Sequence, residues 1–187
     1  MRLITIALLL CLNVVVEASQ GERWFPLIQE QANNPSREAA LTEQESSWQI
    51  FAESPFAKGL RQFTNDTANW LEMGMCSHLG PADLFDPIWS LKCGIIYAEY
   101  LEGEKFGPYC NTRKVAEMRY NGGYWIVWEL REANSTRIRD AEKYCGTRLS
   151  NGRKRGYRSC IENYSYPEKI AERQQKFLFL GGRKCSG

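Results

Sequence analysis

Residues 44–70 read QESSWQIFAESPFAKGLRQFTNDTANW, an acidic residue at the end of a helix-like run followed by an irregular polar loop with Ser and Pro. Upstream, Asn33-Asn34-Pro35 is a break. Pro35 suits a first helical position and Ser36 to Ser46 continues a helix from it. Leu41 and Glu45, four apart, share a face of that helix. With Leu41 in the core, Glu45 falls at the core edge, where partial burial disfavours an ionised carboxylate. Beyond the loop, a second amphipathic run from Phe56 or Lys58 to Met75 would turn Leu60, Phe63, Thr67, Trp70 and Leu71 inward, enclosing a cleft beside Glu45. Gly59 permits close backbone approach, and Gln62 offers both a donor and an acceptor. A competing reading treats Thr42-x-x-Glu45 as a capping box that merely begins a helix.

Outward from this block, the 187 residues suffice for one domain with a core. Residues 1–18 read as an export signal: Arg2 is the basic region, Leu3 to Val16 is almost wholly apolar, and Val16-Glu17-Ala18 is the cleavage pattern. That apolar run is short for a membrane span, so membrane contact is expected only if the signal stays uncleaved. The remaining cysteines, Cys76, Cys93, Cys110, Cys145, Cys160 and Cys185, are even in number and favour disulfides in an exported chain. Cys145 and Cys160 bracket a Gly- and Arg-rich loop and are the first candidates for a local bridge. No CxxC pair occurs and His78 is the single histidine, so no metal site or cofactor is expected. Acidic residues outnumber basic ones about twofold between 19 and 107, and the imbalance reverses from 137 onward. A basic face there, with Arg153, Lys154 and Arg155, could dock on an anionic polymer.

Further along, Asp86-Pro87 opens a helix with Ile88, Leu91, Ile95, Ala98 and Leu101 in register, ended by Gly103. Tyr120-Asn121-Gly122-Gly123 has two readings: a hairpin turn before Tyr124-Trp125-Ile126-Val127-Trp128, or the end of a helix over Lys114–Arg119. Residues 134–144 look helical, 148–158 a surface loop, and Tyr166-Pro167 the start of a last helix to about Leu180. Trp48, Trp70 and Trp125 suit either the core or sugar stacking.

The spacing of Glu45-Ser46, Ser54, Ala57-Lys58-Gly59-Leu60-Arg61-Gln62 and Thr67-Ala68 resembles the soluble lytic transglycosylase family, whose signature runs Glu-Ser, a gap, Ser, Gly/Ala-Ala-x-Gly-Leu-x-Gln and Thr-Ala. Tyr120-Asn121-Gly122-Gly123 is similar to its Ala-Tyr-Asn-x-Gly motif, with Arg119 in place of Ala, and the resemblance favours the helical reading there. It departs from the family at Arg61, where Met is common, and at Asn65, where Pro is common; Arg61 is expected to alter substrate preference.

The resemblance implies a mainly α, lysozyme-like single domain over 19–187, stabilised by disulfides. It implies cleavage of peptidoglycan glycan strands between N-acetylmuramic acid and N-acetylglucosamine, leaving 1,6-anhydro ends. Glu45 would be the single catalytic acid, with Ser54, Gln62, Tyr120 and Asn121 at the sugar and Ser46 and Gly59 in support. The alternatives are a muramidase using the same Glu45 and a non-catalytic wall-binding protein. The expected location is exported, periplasmic or wall-associated in a bacterium, with peptidoglycan as partner and no nucleic acid. A secretion, conjugation or phage setting is open.

Overall fold

The computed structural model describes residues 20–103 and 113–181, and its described secondary structure is helical apart from isolated bridges. The expected signal segment, Cys110 and Cys185 lie outside the described residues. The chain divides into two compact units, one comprising residues up to Ile95 together with those from Arg173, the other Ile96–Glu172.

In the first unit, α1 (Phe25–Gln31) and α2 (Pro35–Ser46) are short helices separated by the Asn33-Asn34 break. Asn34 caps α2 by accepting from the Arg37 amide, and Pro35 takes the first turn, where a missing N–H costs nothing. Thr42 lies within α2 and donates to Glu38 O at 2.9 Å, which removes the capping-box reading. The closing 3₁₀ segment Gln175–Leu180 packs along α2. It is pinned by Ser36 N to Gly181 O at 3.1 Å and by Gln174 Nε2 to Ser36 Oγ at 2.8 Å.

The expected helix from Phe56 or Lys58 is corrected: α3 spans only Asn65–Met73, capped by Thr64. Residues 50–64 instead form a tight double turn, with isolated antiparallel bridges at Glu53 and Lys58 and at Lys58 and Phe63. The reason lies at Gly59 and Gln62, both with positive φ (75° and 48°), which no right-handed helix accommodates. Leu60, Phe63 and Leu71 are buried as expected, whereas Trp70 is 48% exposed. Helix α4 (Pro87–Gly103), whose residues up to Ile95 belong to this unit, begins with Asp86 accepting from the Ile88 amide at 2.9 Å. Leu91 and Ile95 are buried, as is Trp89, while Ile88 turns outward. The Cys76–Cys93 disulfide ties α4 to the segment after α3.

One polar group lies at the centre of this apolar core. Arg61 is fully buried, its Nη1 2.9 Å from Glu38 Oε2 and its Nη2 3.1 Å from Gly94 O, while Arg37 reaches Glu38 Oε1 at 3.4 Å. The expectation that Arg61 tunes substrate preference is therefore corrected: its side chain enters the core and organises α2 against α4.

The second unit contains α5 (Arg113–Gly122), α6 (Trp125–Glu132), α7 (Ile138–Glu142) and the length of α8 (Tyr157–Gln174) up to Glu172. Val115, Met118, Ile126, Val127, Leu130, Ala141 and Tyr164 form its core. The Cys145–Cys160 disulfide expected from the sequence is present against them. A link of this span contributes roughly 3 kcal/mol in the chain-entropy account. The expected last helix starting at Tyr166-Pro167 is corrected: α8 starts at Tyr157 and Pro167 sits inside it, both Tyr166 and Pro167 being buried. Their burial outweighs the backbone bond that proline cannot donate.

Buried in the same unit, Arg155 Nη2 lies 2.9 Å from Glu129 Oε1 and Tyr164 donates to Glu129 Oε2 at 2.9 Å. Arg155 therefore cannot serve as a docking cation, contrary to the expectation that grouped it with Arg153 and Lys154. Burial pushes the Glu129 carboxyl above the usual carboxylate range, against the opposing pull of Arg155 and Tyr164. The Arg155→Ala variant is expected to lose about 3–5 kcal/mol of stability, because it strands a buried carboxylate. Glu129→Gln, whose amide oxygen can still accept from Arg155, should lose less. Chemical denaturation of the two variants checks the order, and equal losses would contradict it.

Candidate functional site

Glu45 is the penultimate residue of α2 and is half-buried, one turn beyond the fully buried Leu41. Ser46 is buried and donates to Thr42 O at 3.1 Å, so its hydroxyl tightens the helix end. The chain then enters two consecutive left-handed residues, Ser47 (φ 49°) and Trp48 (φ 66°). Neither is glycine, and such a conformation costs roughly 1–2 kcal/mol per residue. Packing holds it in place. The Trp48 indole is 5% exposed, edge-on to Phe25 (5.7 Å between centroids) and Phe177 (5.9 Å). Gly21 lies so close that an added Cβ would sit 2.7 Å from the indole. The turn that stops the helix just past Glu45 is thus fixed from both ends of the chain. No residue pattern in the sequence announced it, since Ser-Trp carries no left-handed preference.

Residues just past Glu45 also border an open cavity of about 690 Å³, lined by Gln20, Arg23, Trp48, Gln49, Ile50 and Phe51. Phe51 is 78% exposed at its rim and packs on Phe85 at 5.8 Å.

The double turn over 52–63 holds three further candidates. Ser54 Oγ donates to Ala57 O (3.2 Å) and accepts from the amides of Phe56 (3.3 Å) and Ala57 (3.0 Å), which closes the first turn. Gln62 Nε2 donates to Gly59 O (2.9 Å) and Ala52 O (3.1 Å) and so ties the two turns together. Both side chains are occupied in shaping the loop. Gly59 is obligatory: a Cβ there would lie 1.8 Å from Leu84 O, and its φ of 75° is left-handed. A Gly59→Ala variant is accordingly expected to destabilise the first unit by several kcal/mol. Thermal unfolding would read the loss, and an unchanged midpoint would contradict the placement. Of the nearby acids, Glu53 pairs with Lys58 at 3.0 Å and Asp66 is exposed in the first turn of α3.

Tyr120 and Asn121 belong to the second unit, whereas Glu45, Ser46, Ser54, Gly59 and Gln62 belong to the first. Tyr120 and Asn121 occupy the last turn of α5, which Gly123 ends in a left-handed conformation (φ 65°). The helical reading of this stretch therefore holds and the hairpin does not. Tyr120 stacks beside Tyr97 at 5.5 Å between centroids, and the Asn121 and Asn163 amides lie 3.1 Å apart. Asn163 is buried and best satisfied with its nitrogen toward Met118 O (2.7 Å) and its oxygen toward Arg155 Nη1 (3.1 Å). Gly122 allows this approach, since a Cβ would meet the Asn163 side chain at 2.5 Å. Arg119, the departure from the family motif, is buried with its guanidinium over the Tyr124 ring at 5.4 Å.

His78 is exposed in the 3₁₀ turn Ser77–Leu79. Glu129, Cys145 and Cys160 bring ligating atoms within 4.8 Å of one another, but both sulfurs belong to the disulfide and are not thiolates. Trp125 packs edge-on to Trp128 at 5.1 Å.

The Transglycosylase SLT domain family model matches residues 23–142. The chain belongs to that family. Among solved structures it is similar to the 70 kDa soluble lytic transglycosylase Slt70 of Escherichia coli, with a TM-score of 0.55 and 23% identity over 89% of this chain. It spans 25% of that protein's length, and the likeness is one of fold. No sequence match to a curated protein was found.

Proposed function

We propose that the protein is a peptidoglycan lytic transglycosylase that uses Glu45 as its single acid and base. The observation that carries this reading is the family match over residues 23–142, which contains both the Glu45–Gln62 block and Tyr120-Asn121. The placement of Glu45 supports it. The residue stands partly buried in the last turn of α2, where the left-handed Ser47-Trp48 pair ends the helix.

In the proposed reaction the Glu45 carboxyl gives its proton to the oxygen bridging N-acetylmuramic acid and N-acetylglucosamine as the C1–O bond breaks. The acetamido group of the muramic acid stabilises the positive charge developing at C1. The Glu45 carboxylate then takes the proton of the C6 hydroxyl, whose oxygen closes on C1. The product is a 1,6-anhydro sugar, the leaving strand carries away the first proton, and Glu45 ends protonated. No second carboxylate is needed, unlike the paired arrangement of most glycoside hydrolases. Ser54 and Gln62 act by fixing the double turn beside the acid, and Tyr120 and Asn121 by contacting sugar. The leader-like residues 1–18 support export to the wall. Among the described residues no helix is long and apolar enough to cross a membrane.

Mass spectrometry of fragments released from purified peptidoglycan tests this. Anhydro-ended muropeptides are expected. Reducing ends would point to hydrolysis by the same acid, and binding without release would point to a non-catalytic wall protein.

A further inference from the structure

Five cations fall within residues 148–158, beyond the segment that the family model matches. The fold turns one of them, Arg155, inward to Glu129 and leaves Arg148, Arg153, Lys154 and Arg158 exposed. Among the described residues none of these four forms an ion pair. The nearby carboxylate that could have answered them, Glu132, is taken up by Ser150, which donates its amide at 3.0 Å and its hydroxyl at 2.6 Å. Those two bonds hold the Glu132 carboxyl below the usual range.

The segment that carries the four cations is held rigidly. The Cys145–Cys160 disulfide closes its base, and Leu149 plugs into the unit at 4% exposure. An isolated antiparallel bridge joins Arg148 to Lys154, Leu149 N donates to Arg153 O at 2.8 Å, and Arg148 Nη1 donates to Gly152 O at 2.8 Å. The Arg153 guanidinium lies over the Trp128 ring, 4.0 Å from its centroid. Arg148, Arg153 and Lys154 on the turn and Arg158 in the first turn of α8 repel one another, and a polyanion would relieve that repulsion.

We propose that this turn is a docking surface for the repeated carboxylates of peptidoglycan's peptide stems, separate from the glycan chemistry and resting on the wall-acting reading above. Charge complementarity sets the partner's sign, and the remaining side chains narrow its kind. Ser150, Asn151 and Ser159 are polar, and Tyr157, 66% exposed, is the one large apolar-bodied side chain. A bilayer would need more apolar insertion. Stacked bases would need a row of open rings, and the Trp128 face is covered by Arg153.

Sedimentation of the full chain with purified sacculi tests the proposal, in a Glu45→Gln background so that cleavage does not enter. The triple variant Arg153→Gln, Lys154→Gln, Arg158→Gln is expected to bind about tenfold more weakly at low salt. Neutralising three exposed cations outside the turn, Arg139, Lys143 and Lys169, should leave binding within about twofold, the change expected of unspecific surface charge. Sacculi whose carboxylates have been amidated should lose the difference between parent and triple variant, and sacculi stripped of phosphate-bearing polymers should keep it. Circular dichroism confirms folding of each variant. Equal sedimentation of triple variant and parent, a difference that follows the phosphate polymers, or one seen only with duplex DNA would overturn the proposal. Failure of the catalytic reading would appear separately, as absent product from the parent enzyme, with sedimentation untouched.

Discussion

Replacement of Glu45 by Gln is expected to lower release of soluble fragments from peptidoglycan by about a hundredfold to ten-thousandfold, the range associated with loss of a positioned proton donor. The amide has the carboxyl's shape and keeps the packing at the end of α2, so the melting temperature should stay near that of the parent. Activity and stability are thereby separated. Turbidity clearance of wall suspensions measures the first and thermal unfolding the second. The loss falls on a single residue because the proposed mechanism assigns both proton transfers to it. Glu53, paired with Lys58, should be replaceable by Gln with little effect on rate. Retained clearance by Glu45→Gln would remove the acid from its role.

Replacement of Arg61 by Ala is expected to destabilise the protein by about 3–5 kcal/mol, the usual result of removing one partner of a buried ion pair. The guanidinium is fully buried between Glu38 and Gly94 O, and without it Glu38 keeps, among the described residues, Arg37 at 3.4 Å. Gly94 adds a steric argument: its missing Cβ leaves room for the Arg61 side chain, which an alanine there would meet at 2.6 Å. Combining Arg61→Met with Glu38→Gln removes both charges while keeping volume, and should recover a large part of the loss. Urea unfolding of the single and double variants gives the coupling between the two sites. Additive losses would contradict a shared buried network.

The sequence carried these features unequally. Pro35 after two asparagines marked the start of α2, and the Leu41–Glu45 spacing placed the acid at the core edge. Cys145 and Cys160 were legible as a pair because a basic, glycine-bearing loop lay between them. The helix expected from residue 56 failed because Leu60, Phe63 and Leu71 are buried as a helical face would require, yet positive φ at Gly59 and Gln62 builds turns from the same residues. Hydrophobic pattern reports burial, and here burial did not imply helix. The left-handed Ser47-Trp48 pair was illegible because its cause is tertiary: Gly21, Phe25 and Phe177 hold the indole from distant parts of the chain. Arg61 reads as a departure that alters substrate preference and Arg155 as a docking cation, because nothing local names the buried glutamates, Glu38 and Glu129, that pair with them.

In the proposed reaction Glu45 completes the cycle with the sugar's own hydroxyl and without water. Digestion of purified peptidoglycan in water enriched in heavy oxygen, followed by mass spectrometry of the products, tests it most directly. Anhydro-ended fragments that carry no heavy oxygen and are absent with Glu45→Gln are expected. Reducing-end fragments carrying one heavy oxygen each would contradict it.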